Sequence, residues 1–378
     1  MRAPPVTWIC GPPGVGKSTV GWQLFAQWAS RGRTIGYLDI DQLAMRSPPD
    51  PAPDAATHTK AANLAAVLPN YTAAGAERIV VTGVATPADV HQFEEAIGAV
   101  RWVRLTADRA ELHHRFTHRD GPAAMLPEVD RHADELDAST FAELVISTSG
   151  STPIEIAERL DDLKPPSGQH TGTDPSELPN SPRHPHRLDD AGAHVLVITG
   201  PRAVGTSTVG WELFSHNLVH GPTAFIDLAQ IGFISTGTDL RARNLALRAA
   251  NLAAMVEVYQ RQGCRLIIAA GAVLNTEERD FYAARIAPTP HSLIRISASS
   301  DQLEHRIGAR TAPTGGPHLA GDDLRGQSGA AVSQVLNQAL REAEQLERSD
   351  FADRVIDTSK LSASQVAERI LGFLTHLQ

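Results

Sequence analysis

Cysteine is nearly missing from this chain: Cys10 and Cys264 are the only two in 378 residues. So few exclude a disulfide framework and fit a reducing compartment, so a cytoplasmic location is expected. Cys10 closes the first apolar run and is expected to behave as a small buried hydrophobe. No apolar run approaches the roughly 18 to 20 residues of a membrane span, and no membrane partner is expected. The opening MRAPP leads straight into a structural strand, so no signal peptide is expected there. Positive charge is not in excess either. A net charge of −9 argues against nucleic acid as the main partner. It leaves room for an anionic small molecule, because phosphate sites are built locally from backbone amides and a few cations.

What is present is ordinary globular composition, 42% hydrophobic and 20% charged, in a chain long for one domain and comfortable for two. The chain also repeats itself. VTWICGPPGVGKSTVGWQLF near the start returns as VLVITGPRAVGTSTVGWELF, with Gly11 aligned to Gly200, 189 positions on. YLDIDQL aligns with FIDLAQI, and NLAAVLPNYTAAGAERIVVTG with NLAAMVEVYQRQGCRLIIAAG, both at an offset of 188. ELHHRFTHR aligns with QLEHRIGAR at 191, and FAELVISTS with FADRVIDTS at 210, which places a 19-residue insertion in the second copy between Arg310 and Phe351. The stretch 164–193 is rich in Pro, Ser, Gly and Asp without apolar periodicity and reads as an exposed linker. The expected domains are therefore 1–163 and 194–378, in contact with one another and with room for a homo-oligomer. His184 and His186 fall in the linker, where solvation accounts for them better than a metal.

Short apolar runs (VTWIC, IGYLDI, RIVVTG, RWVRLT, LVIST) alternate with helical patterns such as KSTVGWQLFAQWASRG. That alternation predicts an α/β class for each copy: a parallel sheet of about five strands with helices on both faces. RSPPDPAPDAATHT reads as a surface loop of the first domain.

GPPGVGKST satisfies the G-x-x-x-x-G-K-[ST] pattern between a strand and a helix. Gly11, Gly14 and Gly16 allow backbone angles and close approach that a Cβ would obstruct. The amides of Gly11, Pro12, Pro13, Gly14, Val15, Gly16, Lys17, Ser18 and Thr19 (the prolines contributing shape alone) would form the nucleotide-binding set at a helix N-terminus. Lys17 would reach the β- and γ-phosphates and the Ser18 hydroxyl would ligate Mg²⁺. In the second copy Thr206 replaces the lysine, Ala203 the middle glycine and Arg202 a proline. A short neutral side chain cannot neutralise a transferring phosphate.

The second strand runs into Asp39, Ile40 and Asp41; the matching residues are Asp227, Leu228 and Ala229. Carboxyl ends of strands in such sheets border the ligand crevice. A lone aspartate there ordinarily caps a helix, but Asp41 disappears together with Lys17. It is therefore assigned as a residue that orients or deprotonates an acceptor hydroxyl or helps hold magnesium, with Asp39 or Asp41 expected beside Ser18 on the metal. After the fourth strand, Arg115 and Arg119 share a helix face at i, i+4, and Arg131 follows. All three are assigned to a phosphate-clamping lid. The adjacent His113, His114 and His118 lack a neighbouring cysteine, which disfavours zinc. In the second copy, Asp322, Asp323 and Arg325 lie in a Gly-rich stretch suited to a moving flap.

Taken together, GPPGVGKST, DID, RFTHR and VISTS resemble P-loop kinases of the nucleoside/nucleotide-kinase type, including gluconate- and shikimate-kinase-like small-molecule kinases. The resemblance covers most of each repeat and implies ATP (or GTP) with Mg²⁺, a five-stranded parallel core and a mobile lid. The chain departs from the pattern at RIVVTGVAT, which lacks the acidic residue ending the third strand. The expected function is an ATP-dependent phosphotransferase on a small metabolite, nucleoside or nucleotide, with its chemistry in the first domain. The runner-up is an ATP- or GTP-binding switch acting on a partner. For the second copy three roles stay open: binding a ligand, docking or regulating, and completing the first site.

Overall fold

The structure is a computed structural model that describes residues 4–52, 54–118, 121–161, 192–215, 221–235, 244–312, 319–322 and 324–375. The first half runs β1 (Val6–Cys10), α1 (Lys17–Ser30), β2 (Ile35–Asp39), β3 (Arg46–Ser47), α2 (Ala55–Ala73), β4 (Arg78–Thr82), α3 (Pro87–Ile97), β5 (Val100–Thr106), α4 (Arg109–Thr117), α5 (Leu126–Asp137), β6 (Leu144–Ser147) and α6 (Pro153–Asp161). The second half repeats that order element for element. It runs β7 (His194–Thr199), α7 (Thr206–Ser215), β8 (Thr223–Asp227), β9 (Phe233–Ile234), α8 (Leu245–Arg261), β10 (Leu266–Ala270), α9 (Thr276–Ile286), β11 (His291–Ser297), α10 (Ser300–Thr311), α11 (Ala330–Glu347), β12 (Arg354–Asp357) and α12 (Ala363–Thr375).

The strands form two six-stranded sheets, ordered β6-β5-β1-β4-β2-β9 and β12-β11-β7-β10-β8-β3. Five strands of each are parallel, as the alternation predicts. The sixth is antiparallel and comes from the other half. Gly36 and Tyr37 of β2 pair with Ile234 and Phe233, while Arg46 and Ser47 pair with Ala224 and Thr223 of β8. The stretch expected to be a plain loop, RSPPDPAPDAATHT, thus opens with an exchanged strand and closes within α2. A two-residue strand has no periodicity to announce it, and its backbone bonds are set by a partner almost two hundred residues away.

One hydrophobic core crosses between the halves. Leu64, Leu68 and Tyr71 of α2 are buried with Leu252, Met255, Val256 and Tyr259 of α8. Asn70 Nδ2 donates to Asn251 Oδ1 at 2.9 Å, and Thr59 Oγ1 to Gln262 Oε1 at 3.2 Å. On the outer side, Trp22 of α1 meets Phe233 edge-on at 5.0 Å. The expected flap of the second copy is docked where it is described: Gly321 lies against Trp22 and Phe233, and Asp322 is buried beside Arg310 at 3.6 Å. Gly321 thus packs against an aromatic pair drawn from both halves. Asp323 and the linker residues up to 191, including His184 and His186, lie outside the described residues. Among the described residues, no helix is long and apolar enough to cross a membrane. Cys10 is buried, as expected, and burial pushes its thiol up to about 12.

Candidate active site

β1 lies at the middle of its sheet, so the loop that follows it opens at the point where connections diverge to either side. Gly11 passes so close to β5 that a Cβ would sit 2.6 Å from Leu105 O. Gly14 and Gly16 take φ of 84° and 101°, where a side chain would strain the turn. α1 then begins at Lys17 with no side-chain cap and no acidic residue in its first turn. Its first amides and positive dipole end are thereby left to an anion. Lys17 folds back over the loop, its Nζ donating to Pro12 O at 3.0 Å.

Ser18 Oγ donates to Asp39 Oδ2 at 3.0 Å, and Asp39 Oδ1 accepts from Asp41 N at 3.1 Å. Burial first, and the charge of Asp41 second, raise the Asp39 carboxyl to about 6, against the opposing bonds from Asp41 N and Ser18 and the charge of Lys17. A hydroxyl and a carboxylate held together, the latter destabilised as a free anion, are hard oxygen donors that fit a divalent cation such as Mg²⁺. Asp41 stands half-exposed in the crevice mouth, bound through Oδ1 to Lys60 Nζ of α2 at 2.5 Å. Sequence reasoning missed Lys60. Its signal was the cation retained 188 positions on as Arg248. Gly83 floors the same turn, with its missing Cβ 3.6 Å from Asp41 Oδ2.

Of the arginines, Arg115 of α4 reaches the loop. It donates to Val15 O at 3.5 Å, Thr148 Oγ1 at 2.8 Å and Thr148 O at 3.2 Å, and pairs with Glu111. Arg131 points elsewhere, exposed on α5 and paired with Glu128 and Glu135 of its own helix. Arg119 lies outside the described residues. His113 bridges to Asp130 of α5 at 2.7 Å, and His114 stacks on His118.

The second half keeps part of this geometry. Ser207 Oγ donates to Asp227 Oδ2 at 2.7 Å, and Asp227 Oδ1 accepts from Ala229 N at 2.8 Å. Arg306 grips Val204 O at 2.6 Å and Thr358 Oγ1 at 3.0 Å, as Arg115 grips Val15 and Thr148. Ala203 keeps the loop's shape at φ 65°, the only described non-glycine residue in that region. The loop is engaged from within: Glu342 Oε2 of α11 accepts from Arg202 N at 2.7 Å, and Arg202 Nη1 donates to Gln338 Oε1 at 2.8 Å.

Residues 6–142 match the family model described as an AAA domain. Among solved structures, the chain is similar to a tunicamycin resistance protein from Deinococcus radiodurans (21% identity, covering 43% of this chain and 99% of that one, TM-score 0.32). It is similar to a gluconokinase from Sinorhizobium meliloti 1021 (21% identity, 42% and 90%, TM-score 0.30). A third is the shikimate kinase from Acinetobacter baumannii (17% identity, 50% and 95%, TM-score 0.32). No match was found among curated proteins.

Proposed function

We propose that the chain is an ATP-dependent phosphotransferase acting on a small metabolite, nucleoside or nucleotide, with its chemistry in the first of two duplicated domains (1–163 and 194–378). The observation that carries this reading is the convergence of Lys17, Ser18, Asp39 and Asp41 at the carboxyl ends of β1 and β2. In the second half the Ser207–Asp227 pair stands without the lysine or the outer aspartate. The loop amides and Lys17 bind the nucleotide phosphates. Mg²⁺, when held by Ser18 and Asp39, supplies charge neutralisation at the transferring group. Asp41 orients the acceptor hydroxyl and takes its proton, and Lys60 pairs with Asp41 to fix where its carboxylate points. Arg115 fixes the loop's outer edge, and Arg119 completes the clamp. The test is ATP consumption scanned across metabolite pools, with Lys17→Ala as the control. Acceptor-dependent consumption lost in the variant supports the reading; slow hydrolysis that no acceptor stimulates would favour the nucleotide switch.

A further inference from the structure

The segment that follows Asp41 is not held by its own half alone. Leu43 O accepts from Asn63 Nδ2 of α2 at 2.5 Å and from Tyr259 Oη of α8 at 3.2 Å, and Tyr259 is fully buried. Met45 O accepts from Phe225 N at 3.0 Å, and the next two residues are β3, paired with β8 of the second sheet. Thr59, the neighbour of Lys60, shares its hydroxyl proton between Ala55 O of its own helix at 2.9 Å and Gln262 Oε1 of the second half at 3.2 Å. Both sides of the Asp41–Lys60 pair are therefore pinned by the C-terminal half. The phosphate loop is braced differently, from its own half, by Arg115 and by the close approach of Gly11 to Leu105.

We infer that the C-terminal half supplies positioning residues for the acceptor side of the N-terminal site, Tyr259 at Leu43 and Gln262 at Thr59. Through these contacts the second half completes the first site on its acceptor side. This rests on the reading of Asp41 as the acceptor-side carboxylate, but its test needs no turnover. The chain provides a reporter, because Lys60 is one of only four lysines and Lys360 is an exposed internal reference.

The experiment uses the full chain as wild type, Tyr259→Phe and Gln262→Ala. Amide hydrogen exchange is followed by peptide, Lys60 acetylation is measured against Lys360, and a fluorescent ADP analogue with Mg²⁺ is titrated. Loss of one buried hydrogen bond should speed exchange across residues 40–47 in Tyr259→Phe by about 3- to 10-fold. Gln262→Ala should speed exchange across residues 55–60 and leave β1 and β5 unchanged. Lys60 labelling should rise several-fold in both, with ADP affinity kept within about twofold because the loop is untouched. Unchanged exchange and labelling in both variants would overturn the inference. So would a rise shared by β1 and β5, or a parallel loss of ADP binding. Absence of any acceptor in the metabolite scan would count against the kinase reading and leave these readouts intact.

Discussion

Tyr71 and Tyr259 stand 188 positions apart, and each has its hydroxyl against a carbonyl of the other half: Tyr259 at Leu43 O, 3.2 Å, and Tyr71 at Ile231 O, 3.5 Å, where it also meets Tyr37 O of its own half at 3.4 Å. Each receiving carbonyl also binds an asparagine of its own half, Asn63 or Asn251. The two frames correspond while the residues beside them differ, since Leu43 follows Asp41 and Ile231 follows Ala229.

Nucleotide stoichiometry should expose that asymmetry. Calorimetric titration of MgATP is expected to give one strong site per chain, removed by Lys17→Ala. Restoring the lysine by Thr206→Lys should not create a second site, because Ala203 replaces glycine at positive φ and Glu342 occupies a loop amide. Two equivalent sites in the wild type would refute the assignment of chemistry to the first half.

Replacing Asp41 by Asn keeps its size and removes its charge. Acceptor-dependent turnover should fall by about 10²- to 10⁴-fold, the scale of a positioned acid–base group. ATP affinity should stay within a few fold. If ATP binding collapses instead, Asp41 belongs to the metal site.

Asp39 predicts a pH dependence. Its carboxyl is raised in the folded chain from 3.8 to about 6, so the native state binds that proton more tightly than the unfolded chain does. The charge therefore costs stability above about pH 6, and the cost fades as pH falls toward 4. Asp39→Asn should melt higher than wild type at pH 8, with the gap narrowing below pH 6, in the absence of Mg²⁺. With MgADP the order should reverse, because only the wild type gains from the bound metal. A variant less stable at pH 8 without metal would contradict the burial argument.

Arg115 and Arg306 offer a paired comparison, since both grip the loop carbonyl and the threonine after the last strand. Arg115→Ala and Arg306→Ala should lower the melting temperature by similar amounts. Only Arg115→Ala should also lower turnover directly, by about 10²-fold, if its guanidinium meets the phosphoryl group. Equal losses of turnover in both variants would make Arg115 a brace alone.

Local chemistry made the five parallel strands and the phosphate loop legible, because apolar runs, glycine spacing and a lysine at a helix start are signals carried by neighbouring residues. Asp41 stood out in the sequence because Ala229 takes its place in the second half. Lys60 was not reached, since its meaning lies in an ion pair with a residue nineteen positions away across the crevice. The strand exchange was invisible for a related reason: Arg46–Ser47 and Phe233–Ile234 are too short to alternate, and proline-rich surroundings disguise the first. Arg131 is assigned to a lid because it follows Arg115 and Arg119 closely in sequence, and in the structure its guanidinium pairs with Glu128 and Glu135 of its own helix.

The exchanged strands also act as edge guards. β2 and β8 would otherwise each present a bare row of backbone donors and acceptors, the template on which separate chains aggregate. Phe233–Ile234 and Arg46–Ser47 cover those rows with a strand too short to recruit another. A shortened chain ending before Phe233 would uncover Gly36 and Tyr37 together with the face of Trp22. Its fate would be self-association through that bare edge, so a truncation meant to isolate the first half would more readily yield oligomers than a monomer.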